Sequence, residues 1–242
     1  MTSRLVEKQR RHVAVMSAIA VKVAFERGIV PAFEASTDFD LSFVWQPTTV
    51  LMRQIGEGDR ADVVVAIDDS MDRLASDRII EPRTRAKIAR ASLGVAVRKG
   101  APHPDISTVE AFRDALVNAK GVAYSTGGAS GIYFTGLISR LGVSDKLAAV
   151  TIPAGFTAEK LVTGEADLAI QQMSELISVP GVEIVGPFPD EVQLATNFSA
   201  AMFKGPRNEG GAAAFLQALV SKTAHEAYEA AGLVSRLNHP AS

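Results

Sequence analysis

Short apolar runs rich in Val, Ile, Ala and Phe alternate along this chain with longer stretches whose apolar residues recur every three or four positions. The first pattern predicts strands over residues 12–16, 41–45, 62–67, 93–97, 121–124, 149–152, 168–171, 182–185 and 195–202. The second predicts helices over 18–34, 49–56, 70–76, 108–120, 131–141, 157–163 and 210–231. Strands that alternate with helices build open, mostly parallel sheets with helices on both faces, so the fold class is α/β. Ser107-x-x-Glu110 reads as a capping box before Ala111-Phe112, Thr157 opens a further helix with Glu159 in its first turn, and Gly142 stops the helix that holds Leu137, Ile138 and Leu141.

In such sheets ligands bind at the carboxyl ends of the strands. Five loops stand there: Met16-Ser17-Ala18; Gln46-Pro47-Thr48-Thr49; the run from Ser125-Thr126-Gly127-Gly128 to Ala129-Ser130-Gly131; Pro153-Ala154-Gly155-Phe156-Thr157; and Gln171-Gln172-Met173-Ser174. They are rich in hydroxyl, amide and glycine residues, and most run straight into a helix. A helix start leaves backbone N–H groups unpaired, and its dipole favours negative charge. Small residues let an anion reach those groups, so the five loops together describe an anion cradle that needs no cationic side chain. Taken singly, each Ser or Thr also serves as an ordinary helix cap. The glycines at 127–131 fit neither G-x-G-x-x-G nor a Walker loop, which leaves a nucleotide site without support.

Composition narrows the picture. The formal charge is −2, and Lys and Arg are scattered, which argues against a duplex nucleic-acid surface or a polybasic membrane anchor. With 47% apolar residues the chain can bury a sizeable core, so global disorder is not expected. Cysteine is absent, which removes disulfides, thiolate metal sites and a cysteine nucleophile. His12, His103, His225 and His239 do not sit at metal-ligand spacing, so neither a metal nor another cofactor is expected. The charged residues 1–11 followed by an apolar run superficially mimic an export signal. Lys22 interrupts that run, and no A-x-A-like cleavage site follows, so the segment reads as a strand entering a helix. As written, the chain therefore reads as cytoplasmic, and as periplasmic if its true start lies further upstream. No apolar run is long enough to span a membrane.

Several segments carry a family resemblance. They are Arg53-Gln54-Ile55-Gly56-Glu57-Gly58 with Ala61-Asp62-Val63-Val64-Val65-Ala66-Ile67-Asp68; Gly94-Val95-Ala96-Val97-Arg98-Lys99-Gly100; Ser130-Gly131-Ile132-Tyr133; Leu161-Val162-Thr163-Gly164-Glu165-Ala166-Asp167; and Ala213-Ala214-Phe215-Leu216. In their order and spacing the chain, from about residue 12 to 235, resembles the periplasmic-binding-protein type 2 superfamily, in its molybdate-binding-protein-like branch of ABC-transporter solute receptors. The resemblance implies two α/β lobes, one of residues 1–90 plus 196–242 and the other of 91–195. Two crossing segments near 91–95 and 193–199 would form a hinge that closes on the ligand. It also implies a small anionic ligand and, if the protein is exported, an ABC-transporter permease as partner.

Carried over position by position, the resemblance places ligand contacts at Ser17, Thr48, Thr49, Ser130 and Phe156, and puts Gln172 where the molybdate receptors use a tyrosine. Ser125, Gly131 and Gln171 flank these positions, and Arg90 is a candidate for a balancing positive charge, with a surface ion pair as its alternative. Carboxamides at 171 and 172 bring acceptors as well as donors, which suits an organic carboxylate better than a bare oxyanion. Aconitate isomerases resemble the same class, so proton transfer on a small polycarboxylate is the alternative function. Its base would be Asp68, Tyr133 or Glu175. Asp68 also reads as a helix-start residue, Glu175 as a solvent-facing first-turn residue and Tyr133 as interface packing. A ligand-sensing regulator is a third reading, but residues 1–11 are too short for a helix-turn-helix.

Overall fold

The computed structural model describes residues 11–237. The export-signal question over residues 1–10, His239, and the outer ends of the first lobe's ranges lie outside the described residues. Strands are β1 (Arg11–Ala18), β2 (Phe39–Gln46), β3 (Val63–Ile67), β4 (Ala86–Arg98), β5 (Val122–Ser125), β6 (Ala149–Ile152), β7 (Leu168–Gln172), β8 (Val182–Pro187), β9 (Ala195–Met202) and β10 (Val234–Ser235). Helices are α1 (Lys22–Ala24), α2 (Val30–Ser36), α3 (Thr48–Gly56), α4 (Asp68–Ser76), α5 (Val109–Asn118), α6 (Ala129–Arg140), α7 (Glu159–Val162), α8 (Met173–Leu176), α9 (Glu209–Ala218) and α10 (Lys222–Ala230).

The strands run β2-β1-β3-β9-β4-β7-β5-β6, with β8 and β10 also paired to β4. β1 pairs parallel with β2 and β3, and β5 pairs parallel with β6 and β7, whereas β9 and β4 run antiparallel to their neighbours. The inner parallel strands β3, β5 and β7 are buried on both faces because helices cover both, whereas the edge strands β2 and β6 are partly exposed. Along β3, Val63 and Val65 enter one core with Phe25, Phe198 and Phe215, while Val64 and Ala66 enter another with Leu51, Met71 and Phe203. In the second sheet Val122 and Tyr124 pack with Phe112, Phe134 and Phe188, while Ala123 faces Leu161 and Leu176. Period-2 alternation thus sorts each strand into two layers. The two-lobe α/β architecture with mostly parallel sheets is therefore the fold found.

Differences from the expected elements have local causes. The predicted helix 210–231 is two helices, because Ser221 accepts a hydrogen bond from the Ala224 N–H and starts α10 afresh. The helix expected over 18–34 is interrupted by a 3-10 turn (Ile19–Val21) and a π turn (Phe25–Ile29). Pro31 has no N–H to give to residue 27, and the wider turn absorbs the missing bond. Gly28 sits in that π turn, where a Cβ would come within 2.6 Å of the Ala227 Cβ, so the close approach of α10 requires glycine. The strand expected over 93–97 begins at Ala86, because its polar positions Lys87 and Arg90 stay exposed while Ile88 and Ala89 are buried. The cap before α5 is Thr108, which accepts from the Ala111 N–H, and not Ser107. Trp45 stacks on Phe43 at a centroid distance of 4.6 Å and packs against the first core.

Candidate functional site

Between the two sheets lies a small cavity of about 50 Å³. A water needs roughly 10–15 Å³ of such space, so the cavity has room for a few waters. Every one of the five loops named from the sequence contributes to its wall. Ala18, Ile19 and Ala20 come from the end of β1, and Pro47 and Thr48 from the end of β2. Ser125, Gly128, Ala129 and Ser130 come from the β5–α6 turn, Ala154 and Gly155 follow β6, and Gln171, Gln172 and Glu175 follow from β7. Ile67 and Phe198 close the apolar side. Phe198 arrives on β9, more than 130 positions from Ile67 in the chain, and no local pattern announces it.

Of the expected site residues, Thr48, Ser125, Ser130, Gln171, Gln172 and Glu175 line this cavity. The structure places the others in its surroundings. Ser17 is fully buried and its Oγ donates to the Ala18 carbonyl at 3.3 Å. Thr49 is exposed, and its Oγ1 donates across the cleft to the Gly127 carbonyl at 3.3 Å. Gly131 packs directly on the Ser125 carbonyl, where no side chain fits. Phe156 is half-buried and outside the wall. Arg90 is exposed and donates from Nε to Asn197 Oδ1 at 3.0 Å, so it answers no charge in the cavity. Tyr133 donates its hydroxyl to the Val192 carbonyl at 2.9 Å. Asp68 meets Arg236 at 2.9 Å and Arg85 at 3.3 Å, and it accepts from the Ser199 hydroxyl. Burial works to raise the Asp68 pKa. The Ser199 hydroxyl and the two guanidiniums outweigh it and hold the carboxyl below its ordinary value.

Within the wall the side chains have different roles. Gln171 is fully engaged: Oε1 accepts from the Thr157 N–H at 2.8 Å and from Thr157 Oγ1 at 3.0 Å, and Nε2 donates to the Gly155 carbonyl at 3.0 Å. It holds the 153–157 loop against β7. Thr157, expected to open a helix, is instead a buried partner of this clamp. Ser125 Oγ accepts from the Gly128 N–H at 3.1 Å and shapes the turn into α6. Gln172 is 5% exposed, and its Oε1 is buried with no hydrogen-bond partner among the described residues. Ser174 Oγ, two residues on, is likewise buried with no hydrogen-bond partner among the described residues.

Among the described residues no Lys, Arg or His lines the cavity. Donors come instead from the first turns of α3 and α6, neither of which is capped by a side chain at its start. Among the described residues the single ionisable lining group is Glu175, partly buried and opening onto the cavity. Burial pushes its carboxyl up from 4.5 to about 7, against the pull of hydrogen bonds from the Gln171 side chain and the Gln172 N–H. A carboxyl balanced between its two states near neutral pH is suited to proton transfer. Among the described residues no group of three His, Asp or Glu is placed to hold a metal ion, and no helix is long and apolar enough to cross a membrane. A larger open groove of about 760 Å³ lies at the other end of β7, against α5 and the end of β4; it is mostly apolar and receives none of the five loops.

A two-layered, two-lobe fold with a closed cavity at the strand ends is the architecture of solute receptors, and comparison with known proteins agrees. Residues 13–234 match the family of bacterial extracellular solute-binding proteins, and the chain belongs to that family. It is 35% identical over 215 residues to the aconitate isomerase of a Pseudomonas species, covering 86% of this chain and 82% of that protein. It is 25% identical over 204 residues to the molybdate-binding protein ModA of Escherichia coli (strain K12), covering 81% of this chain and 79% of the other. The fold is shared with the periplasmic molybdate-binding protein of Azotobacter vinelandii at a TM-score of 0.76 and 20% identity, over 92% of this chain and 98% of that one. The type 2 periplasmic-binding-protein fold, in its molybdate-receptor-like form, is thus the one this sequence adopts.

Proposed function

We propose that this chain captures a small organic polycarboxylate between its lobes and shifts a proton on it, with Glu175 as the base. The observation that carries this reading is the Glu175 carboxyl: the one ionisable group that the described residues place in the cavity wall, pushed up to about 7. The name of the 35% identical relative points the same way and makes aconitate the first substrate to test. Chemically, Glu175 takes a proton from the CH₂ that lies next to the C=C bond. The C–H electron pair spreads over the allyl system and its carboxylates, and the double bond moves. The same proton, or one from water, returns to the far carbon, which converts cis- to trans-aconitate with no net change in atoms or charge. First-turn N–H groups of α3 and α6 hold the carboxylates and stabilise the charge that develops on them.

Closure comes from the lobes, one holding residues 1–90 plus 196–242 and the other 91–195, with β4 and β9 as the hinge. Gln193 clamps these crossing segments: its Oε1 accepts from the Leu93 N–H at 2.8 Å and its Nε2 donates to the Leu93 carbonyl at 3.0 Å. Thr49 Oγ1 donates to the Gly127 carbonyl at 3.3 Å and supports this reading as a contact between the two halves.

The test is incubation with cis- and trans-aconitate in D₂O, followed by NMR. Deuterium at the exchangeable carbon and interconversion of the isomers are expected, and both disappear in Glu175→Gln. Tight carboxylate binding with neither exchange nor isomerisation would overturn the catalytic part. It would leave capture alone, for delivery to an ABC-transporter permease, a second reading that the family description favours. Binding of molybdate or tungstate with no carboxylate bound would overturn both.

A further inference from the structure

The unpaired Gln172 carbonyl bears on what the ligand must carry. The cavity wall holds a carboxyl, Glu175, and a buried acceptor, Gln172 Oε1, that no described residue satisfies. The described residues place no cationic side chain there to offset them. A buried acceptor without a donor destabilises the closed state until one arrives. A fully deprotonated oxyanion brings only acceptors, and its charge adds to that of Glu175 in a site of low polarity. Gln171, next in the chain, spends its amide on Thr157, Gly155 and Glu175 and does not relieve its neighbour.

The charged groups around Glu175 do not change this balance. The 3-10 turn Ile19–Val21 and β7 pack on α8 and carry no ionisable residue. β4 brings Lys87, Arg90 and Arg98, and β8 brings Glu183. None of them lines the cavity, and none acts on the Glu175 carboxyl, whose perturbation comes from burial and two hydrogen bonds alone.

We infer that Gln172 selects ligands that bring an O–H donor: the bound acid gives a hydrogen bond to Gln172 Oε1, either from an alcohol group or from a carboxyl that keeps its proton. This rests on the reading of the cavity as a carboxylate site and extends it. A retained proton also serves the reaction, because an α-proton beside a neutral carboxyl is far more acidic than one beside a carboxylate. Gln172 is then a specificity and positioning residue, while Glu175 handles the moving proton.

Calorimetry with Glu175→Gln protein tests this without turnover and without Glu175 as a competing proton acceptor. The ligands are citrate and tricarballylate, which differ only in the hydroxyl, each titrated at pH 8 in two buffers of different ionisation enthalpy. If the donor is a carboxyl, both bind alike and each takes up close to one proton. If it is the hydroxyl, citrate binds at least tenfold tighter with no proton uptake. In both cases adding Gln172→Met abolishes the signature and lowers affinity at least tenfold. The same change in otherwise wild-type protein, free of ligand, leaves thermal stability equal or higher, because an unpaired acceptor has been removed; this separates lost recognition from lost folding. Equal binding without proton uptake, or binding indifferent to Gln172→Met, overturns the inference. If aconitate still exchanges deuterium in that event, the function stands and only the role of Gln172 falls. If no tricarboxylate binds wild-type protein, both fall.

Discussion

Replacing Glu175 by Gln makes a prediction about stability that does not depend on the substrate. The carboxyl is shifted from 4.5 to about 7 in the folded protein, chiefly because burial disfavours its charged form. A raised acid favours the folded state while it stays protonated. Between pH 4.5 and 7 the unfolded chain has released this proton and the folded protein has kept it, so stability falls as pH rises through that window. At about 1.4 kcal/mol per pH unit, the full effect is about 3 kcal/mol, most of which falls between pH 5 and pH 8. Gln at 175 is neutral throughout. Urea denaturation of both proteins at pH 5 and pH 8 should therefore show Glu175→Gln gaining about 2–3 kcal/mol on the wild type over that interval. In a domain of this size that amounts to a relative shift of about 5–10 °C in melting temperature. A difference between the two proteins that stays constant from pH 5 to pH 8 would refute the assignment of a raised, buried acid at this position, and with it the argument for a base poised near neutral pH.

Two further changes probe the frame around the cavity. Gly131→Ala would drive a methyl group into the Ser125 carbonyl oxygen in the turn that begins α6; a loss of about 3 kcal/mol or more is expected in urea denaturation, together with loss of carboxylate binding. Asp68→Asn removes the charge that answers Arg85 and Arg236 and should cost about 1.5–3 kcal/mol at neutral pH. The Asp68 pKa is lowered on folding, so its stabilisation is present above the ordinary carboxylate range and is lost as pH falls through the folded value. The gap between Asp68→Asn and the wild type should therefore narrow in acid, and a gap that widens below pH 4 would contradict the ion-pair account.

The parts legible in the sequence were those with a local signature. Val63-Val64-Val65-Ala66 reads as a strand covered on both sides, and the small polar loops after β1, β2, β5, β6 and β7 read as a place where helix starts converge; all five meet at one cavity. What escaped was set by distant partners. Phe198 enters the wall because β9 returns antiparallel to β3, a pairing of Ile67 with Phe198 that no window of sequence contains. Arg90 was a fair candidate by charge, yet its direction was settled by Asn197 across the strand pair. Gln171 and Gln172 look alike in the sequence. Pleat alternation turns one amide into a strut for a loop and leaves the other with an empty acceptor. Glu175 reads as a first-turn residue facing solvent, whereas it stands partly buried in the cavity wall.

β4 runs unbroken for 13 residues from one sheet into the other, bonded along its first part to β9 and β10 and along its last part to β7 and β8. A rod gripped at both ends allows no free swivel. On the proposed closure of the lobes, their separation would be taken up as torsion in the short stretch around Ser92 and Leu93, where the partner of β4 changes from β9 to β7.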